Sequence, residues 1–480
     1  MTAELARVQE KKEGVTHNCG VVGYFFSEPS DTSRVLQSLN LLQHRGQEGT
    51  GITVIDASGQ VITWKTSFKI SDADLDSGFE HFKSSSRQVR IAVGQTRYST
   101  SGSLSSDANQ PFYDSITGLI TAHNGTLTNP KLFGSYYEGV SSDTKALHDE
   151  IISNNAKSIE EKIASVLPGV EGAYSLIFAE QNALYGVCDP RAMRPLVFGK
   201  LKNNQGYVFA SEDVAIRDQT DYIEEVPPGV GIAVEGVGER VFVRKFFLDP
   251  RDEERRSCIF EPIYFSRQDA RVFGMSVGEF RARCGAELAY EDFNTELDFD
   301  FVVPVPRSGL RASEGYVNAV EGIRLSYALN RNDDSRTFIE NFDREAKVRA
   351  KFTVDPSAVK DKKIVVVDDS LVRGTTSRVL TQMFREAGAT KVHWRFASPP
   401  IQHPCFWGID FPTQQELLAF NKNDKEIAEE IGADSVRFVS LDTTMHIAES
   451  LVDHRGFCTH CFSGERPMEI DVAHMIMKRR

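Results

Sequence analysis

Ile364-Val365-Val366-Val367-Asp368-Asp369-Ser370-Leu371-Val372-Arg373-Gly374-Thr375-Thr376 decides the fold of the carboxy-terminal half of this chain. Four consecutive β-branched residues read as a strand buried on both faces, the pattern of a parallel sheet. The run stops at two carboxylates, and a glycine- and hydroxyl-containing turn leads into a helical pattern over 377–387. Val379, Leu380, Met383, Phe384 and Ala387 share one face of that helix, and Gly388 ends it. Strand, acidic pair, Gly-Thr-Thr turn and helix put backbone N–H groups and hydroxyls where a phosphate sits at a helix N-terminus. The carboxylates beside it suit sugar hydroxyls or Mg²⁺. A buried strand ending in a solvated turn would explain the apolar half, but not Asp-Asp followed by Gly-Thr-Thr.

Working outward, Phe301–Val305 and Val392–Ala397 are further strands separated by helical patterns, so 258–447 is expected to be a doubly wound α/β domain with a parallel sheet. Between them Arg331–Lys351 is dense in both charge signs, which fits a solvated loop or helix and also an active-site lid. Upstream, residues 19–250 carry short apolar segments with turn signals between them: Val21–Phe26, Gly51–Ile55, Val61–Lys65, Arg90–Val93, Leu119–Ala122, Tyr174–Ala179 and Tyr207–Ala210. Helices are expected at Ser33–Gln43, Asp143–Asn154 and Ile159–Leu167, which makes this block a sheet-rich α+β domain. The charged stretch Asp249–Arg256 reads as a linker.

At 480 residues the chain has room for two domains, and its formal net charge of −13 comes without a compensating basic block, which argues against a nucleic-acid partner. No apolar run approaches the length of a membrane span. Residues 1–18 contain Glu4, Glu10 and Glu13 and no apolar core, which suits neither a secretory signal nor a transit peptide. A cytoplasmic, reducing setting is therefore expected, with the seven cysteines as thiols or metal ligands.

The run at 364–376 resembles the phosphoribosylpyrophosphate (PRPP) loop of type I phosphoribosyltransferases. Cys19 opens Cys-Gly-Val-Val-Gly-Tyr-Phe; alone, such a cysteine is more often a core residue. It is followed, however, by Gln43-His44-Arg45-Gly46-Gln47, Arg97-Tyr98-Ser99-Thr100, His123-Asn124-Gly125-Thr126-Leu127-Thr128-Asn129 and Ser142-Asp143-Thr144. These occur in the order seen in class II glutamine amidotransferases, N-terminal nucleophile (Ntn) hydrolases with an αββα sandwich. From Cys19 to Cys461 the chain resembles the glutamine PRPP amidotransferase family of de novo purine synthesis.

That resemblance implies a set of roles. Residues 1–18 become a propeptide whose removal frees Cys19 as the first residue; the α-amine, at roughly pKa 8, then serves as base to a thiol of about 8.5. Arg97 grips the glutamine α-carboxylate and Asp143 its α-ammonium, while Asn124 and Gly125 form the oxyanion hole. On their own residues Asp143 could equally cap a helix, and Asn124-Gly125 could be a type I′ turn. Ser308, in Pro304-Val305-Pro306-Arg307-Ser308-Gly309, joins Asp368 and Asp369 as candidate Mg²⁺ ligands. Ser370, Arg373, Gly374, Thr375 and Thr376 are expected to hold the ribose phosphate, and Arg331, Arg336 and Lys351 the pyrophosphate. Ammonia from glutamine then displaces pyrophosphate from PRPP to give phosphoribosylamine. The family also suggests purine-nucleotide feedback and a homotetramer.

Cys458-Thr459-His460-Cys461 is a C-x-x-C pair, which alone could bind zinc, act as a redox pair or be incidental. With Cys258 and Cys405 in their sequence contexts it matches all four ligand positions of the family's iron–sulfur subgroup, implying a [4Fe–4S] cluster that clamps the junction to the carboxy-terminal segment 448–480. Cys188 and Cys284 are expected to be core thiols. Gln95, Lys145, Arg307, the Gln47-Glu48-Gly49-Thr50 segment and the Asp189–Pro195 segment depart from the usual pattern. They raise the alternative of a catalytically weakened paralogue that binds PRPP or nucleotide and regulates a partner; an amidotransferase with another acceptor is disfavoured by the PRPP loop.

Overall fold

A computed structural model describes residues 19–97, 109–129, 142–237, 240–248, 255–332, 344–409, 411, 413–454 and 456–470. The expected propeptide 1–18, Tyr98-Ser99-Thr100, Arg336 and most of the expected linker lie outside the described residues.

The amino-terminal domain is built on β1 (Gly20–Ser30), β2 (Gly49–Asp56), β3 (Val61–Thr66), β4 (Val89–Arg97), β5 (Phe112–Tyr113), β6 (Ile120–Leu127), β7 (Gly172–Glu180), β8 (Ala183–Cys188), β9 (Val197–Leu201), β10 (Gly206–Ala210), β11 (Thr220–Glu225), β12 (Val230–Val237) and β13 (Arg240–Phe247). A seven-stranded sheet runs β11-β9-β10-β1-β4-β2-β3, and a six-stranded sheet runs β13-β12-β8-β7-β6-β5. The period-2 rule explains their sequences. Val21 and Phe25 of β1 point into a core shared with Ile120, Ala122, Ile177 and Ile232 of the other sheet. Val22, Tyr24 and Phe26 point the other way, under Val35 and Leu39 of α1 (Ser33–Leu41) and Phe79 and Phe82 of α2 (Phe79–Ser85). Leu176 and Phe178 of β7 likewise carry Leu147 and Ile151 of α3 (Asp143–Ser153) and Ile163 of α4 (Ile159–Val166). Each such fully buried side chain contributes about 1.5–3 kcal/mol. The result is four layers, αββα. Strands buried on both faces are unbroken apolar runs for this reason.

The junction is marked by a short parallel pair, β14 (Ser257–Cys258) with Phe457–Cys458. A small hairpin, β15 (Arg271–Val272) and β16 (Met275–Ser276), precedes α5 (Val277–Asn294). The second domain then alternates β17 (Phe301–Pro304), α6 (Leu310–Ala319), a hairpin of β18 (Leu329–Arg331) and β19 (Phe352–Val354) flanking α7 (Arg344–Lys351), a short α8 (Pro356–Val359), β20 (Lys363–Asp368), α9 (Thr375–Glu386), β21 (Lys391–Phe396) and β22 (Ser435–Phe438). Strands β17-β20-β21-β22 form a parallel sheet in that order. Val302, Val365 and Val367 pack on Phe280, Cys284, Leu288 and Tyr316 of α5 and α6. Val303, Ile364 and Val366 pack on Val348, Val379, Leu380 and Phe384 of α7 and α9. The sheet is therefore covered on both faces, as the Val run requires, and its strand ends open into one crevice. Cys188 and Cys284 are buried core thiols as expected.

Candidate active site

Cys19 immediately precedes β1, where Gly20 pairs with Thr96, so the thiol and Arg97 lie at the same end of the same sheet. Burial pulls the Arg97 guanidinium below its ordinary pKa and the nearby Cys19 thiolate opposes that; Arg97 Nη1 donates to Asn109 Oδ1 at 2.9 Å. Gln95 Nε2 donates to the His123 carbonyl at 2.8 Å, tying β4 to β6 of the facing sheet and setting Asn124 beside the Cys19 end. Asn124 and Gly125 pair with Ser175 and Tyr174 of β7, so they sit in a strand and form no turn. Neither side-chain atom of the fully buried Asn124 has a hydrogen-bond partner among the described residues. An amide left so costs about 1–3 kcal/mol, a cost that a bound oxyanion would offset. Gly125 has φ +146°, and a Cβ there would lie 1.9 Å from the Ala173 carbonyl oxygen, so only glycine fits.

Helix α3 is capped by Ser142, whose Oγ accepts from Lys145 N at 3.1 Å. That frees Asp143, the first helical residue, from the capping role. Its carboxylate accepts from Leu127 N at 3.0 Å and Thr144 N at 2.9 Å, which fixes it beside the end of β6. Lys145 pairs with Asp149 one turn on.

The phosphoribosyl candidates converge. A cavity of about 710 Å³ at the carboxyl ends of β17 and β20 is lined by Arg307, Ser308, Arg331, Lys351, Asp368, Asp369 and the whole Ser370–Thr376 loop. Ser308 Oγ donates to Asp368 Oδ1 at 2.6 Å, Asp369 N donates to the same oxygen at 2.9 Å, and Ser370 Oγ donates to Asp369 Oδ1 at 2.7 Å. Among the described residues no cation lies within ion-pair distance of either carboxylate. Burial pushes Asp368 up to about 6, and Asp369 is raised well above the carboxylate range by burial and then by Asp368. Gly374 has φ +74° and starts α9; a Cβ there would lie 2.3 Å from Leu418 Cδ2. Thr375 and Thr376 form the first turn of α9, whose N–H groups point into the cavity end of the helix. Arg373 lines the cavity but also pairs through Nε with Glu416 at 3.2 Å. Lys351 ends α7, which is anchored to α9 by buried Val348 and the Arg349–Glu386 pair.

Several residues of these sites escaped the sequence reading. Arg281 holds the 262–266 wall of the cavity by donating to the carbonyls of Pro262, Tyr264 and Ser266 at 2.8, 3.0 and 2.8 Å. Its signal was available: it falls on the apolar stripe Val277, Phe280, Cys284, Leu288 of α5, where an arginine is out of place. His44, Tyr264 and Arg267 also line the cavity, and His44 comes from the amino-terminal domain. Between the sites lies a buried charge network. Arg45 Nη2 donates to both oxygens of Glu261 at 3.0 Å, Arg45 Nη1 to Glu212, and Arg194 Nη1 to Glu261 at 2.9 Å. Burial would push Glu212 up, but His44 and Arg45 outweigh it and hold it at about 2.

Cys258 and Cys458 are directly paired in register, and Cys405 Sγ accepts from Trp407 N at 3.4 Å. Burial raises the Cys461 thiol well above its ordinary value, and the neighbouring Cys258, Cys405 and Cys458 raise it further. The four sulfurs are thus close neighbours in the interior, with the Arg194 guanidinium beside Cys258 and Cys405. Among the described residues no three His, Cys, Asp or Glu side chains converge tightly enough to hold a single metal ion. No helix of the described residues is long and apolar enough to cross a membrane.

No family model matches the chain. Amidophosphoribosyltransferase of Pyrococcus horikoshii is 38% identical over 439 residues, spanning 89% of this chain and 92% of that one. A solved structure of glutamine PRPP amidotransferase from B. subtilis, complexed with ADP and GMP, superposes with a TM-score of 0.82 at 34% identity, covering 94% of this chain and 98% of that one. A second, described as the allosteric regulatory enzyme of purine biosynthesis, superposes at 0.84 with 34% identity over 96% of this chain and 99% of that one. The likeness runs through both domains at once, so the chain belongs to the amidophosphoribosyltransferase family, the glutamine-dependent transferases of purine biosynthesis.

Proposed function

We propose that this chain hydrolyses glutamine at Cys19 and passes the ammonia to PRPP held over Asp368 and Asp369, forming phosphoribosylamine, glutamate and pyrophosphate. The observation that carries the reading is a single cavity in which two buried carboxylates, with no cation at ion-pair distance among the described residues, share the wall with the N-terminus of α9 and with His44 of the amino-terminal domain. A phosphate is attracted to that helix end and a divalent cation to those acids.

Cleavage of the Asn18–Cys19 peptide bond frees an α-amine that takes the Cys19 proton, which an amide nitrogen does not do. The thiolate attacks the glutamine δ-carbon, and Asn124 and the Gly125 N–H receive the charge on its oxygen. Ammonia departs as the thioester forms, and water then releases glutamate. Arg97 and Asp143 hold the α-carboxylate and α-ammonium of glutamine. Ammonia attacks the anomeric carbon of PRPP as its bond to pyrophosphate breaks; Ser370 and Arg373–Thr376 hold the ribose phosphate, and Arg331, Arg336 and Lys351 the pyrophosphate. Ser308, Asp368 and Asp369 would hold Mg²⁺, which supplies neutralisation of the departing pyrophosphate.

The four buried thiols suit a [4Fe–4S] cluster better than one zinc, because each thiolate of a cluster grips its own iron and the donors need not share one ion. Cys258, Cys405, Cys458 and Cys461 would hold it, and it supplies a cross-link between the domain junction and residues 448–480. Iron and sulfide analysis with visible absorbance checks this, together with a melting temperature that falls on chelation. By likeness to the B. subtilis structure complexed with ADP and GMP, purine nucleotides are proposed as feedback ligands; a cytoplasmic homotetramer is proposed as the working form on the family resemblance of the sequence.

Pyrophosphate release from PRPP, measured with and without glutamine, tests the proposal alongside intact mass. Glutamine-dependent release from a chain lacking residues 1–18 is expected. Full glutaminase activity in an uncleaved chain contradicts the role of the α-amine.

A further inference from the structure

Arg194 carries its guanidinium into the interior at the domain junction and is 1% exposed. Its Nη1 donates to Glu261 at 2.9 Å and its Nη2 to the Trp407 carbonyl at 2.6 Å. The remaining N–H, on Nε, is buried and has no hydrogen-bond partner among the described residues. Space is kept for this group: Gly408 has φ +105°, and a Cβ there would lie 2.7 Å from Nη2. Its surroundings are the segments that carry two of the four clustered cysteines. The Met193 carbonyl, next to Arg194 in the chain, accepts from Cys258 N at 3.3 Å. Trp407, whose carbonyl holds Nη2, donates its own backbone N–H to Cys405 Sγ at 3.4 Å. The guanidinium thus sits beside Cys258 and Cys405 at once. The Trp407 indole N–H is likewise buried and without a partner among the described residues.

A buried N–H is seldom left unpaired, so one that is points to an acceptor that arrives with a bound group. A thiol accepts hydrogen bonds only weakly, whereas an iron-bound thiolate or a bridging sulfide is a charged acceptor. Four thiolates also outweigh the positive charge of an iron–sulfide core, and a buried anion needs a cation close by. We infer that Arg194 donates its Nε–H to a sulfur of the [4Fe–4S] group held by Cys258, Cys405, Cys458 and Cys461. The inference rests on the reading of those four cysteines as cluster ligands. The amino-terminal domain, which provides none of the four, would then grip the cluster through this one donor. Arginine is required for it: a lysine keeps the charge but places a methylene where Nε stands.

The test uses the full chain, purified without oxygen from cells fed arginine labelled with ¹⁵N at Nε. The frozen protein is reduced by γ-irradiation, which makes the cluster paramagnetic while its surroundings stay fixed. Pulsed electron paramagnetic resonance is expected to show a weak ¹⁵N coupling that is missing from unlabelled protein and from labelled Arg194→Lys. A loaded native cluster without that coupling overturns the inference, and so does a coupling that persists in Arg194→Lys. Partners of this kind are worth about 10–100-fold in metal retention, so Arg194→Lys is expected to lose iron to a chelator at least about 10-fold faster than native. A native rate of iron loss in folded Arg194→Lys overturns the inference as well. If Arg194→Lys fails to fold by circular dichroism, the labelled native spectrum decides alone. Native protein that holds no iron and sulfide ends the cluster reading and the inference with it, whereas a full cluster without the arginine coupling ends the inference alone.

Discussion

Glu212 and Glu261 at the domain junction, and Asp368 and Asp369 in the cavity at the carboxyl ends of β17 and β20, are two pairs of acids with similar burial, at 1, 0, 9 and 4% exposure. Their surroundings differ. The glutamates are met by Arg45 and Arg194 within hydrogen-bond distance, and Glu212 is held at about 2. The aspartates are met by hydroxyls and a backbone N–H, with Lys351 and Arg281 acting only from further away, and both are pushed up. Burial of a charge is tolerated when a partner comes with it. The first pair brings its partners in the chain and is structural. The second pair leaves that place, on the proposed reading, to a bound cation.

The strongest way to break this contrast is to remove the aspartate pair. Asp368→Ala with Asp369→Ala is expected to lower PRPP-dependent pyrophosphate release by at least about 10³-fold while PRPP-free glutamine hydrolysis persists. Arg45→Met takes the shared guanidinium from two buried glutamates, leaving Glu261 to Arg194 and Glu212 to His44, and is expected to cost about 3–5 kcal/mol in denaturant unfolding, seen as a lower midpoint at constant slope. Asn124→Ala, which removes a buried donor waiting for a ligand, is expected to reduce kcat for glutamine about 10²–10³-fold with little change in melting temperature.

The two pairs also differ in the sign of their pH dependence. Glu212 is depressed from 4.5 to about 2, so its stabilisation is present above about pH 4.5 and is lost as pH falls through 2. Asp368 is raised from 3.8 to about 6, so in metal-free protein the stability that its proton gives is fully present below about pH 4 and is lost as pH rises through 6. The Glu212 contribution is worth about 3 kcal/mol. Melting curves of Glu212→Gln and Asp368→Asn across pH 3–8 should lose opposite limbs of the native profile; parallel profiles would erase the distinction. The smallest effect expected is that of Asp369→Asn without metal, neutral or stabilising by about 1–2 kcal/mol, where Arg45→Met destabilises.

The apolar run at 364–367 was legible because a strand buried on both faces has no room for a polar residue: Ile364 and Val366 meet α7 and α9, Val365 and Val367 meet α5 and α6. Among the edge strands, β3 and β17 were legible, but β13 and β22 were not. β13 reads Arg-Val-Phe-Val-Arg-Lys-Phe-Phe and is exposed along most of its length, so its charges and aromatics follow no inside–outside alternation. β22 is four residues, Ser-Val-Arg-Phe, too short to stand out. Asp368, Asp369, Ser308 and the Gly-Thr-Thr turn, which line one cavity, were legible as a group because they sit at strand ends in compact motifs. The Arg45–Glu212–Glu261–Arg194 network was not, since its members are separated by 167, 216 and 67 positions and each alone looks like a solvated charge. Gln95 stood out as a departure; its bond to the His123 carbonyl gives it a part in joining the sheets.

The most direct test is the amount of glutamate and of pyrophosphate formed together when purified protein is mixed with glutamine, PRPP and Mg²⁺. One pyrophosphate per glutamate is the expected result, with neither route running alone at a comparable rate. Glutamate accumulating while PRPP stays intact would contradict the claim that one chain makes ammonia at its terminal thiol and spends it over the paired aspartates.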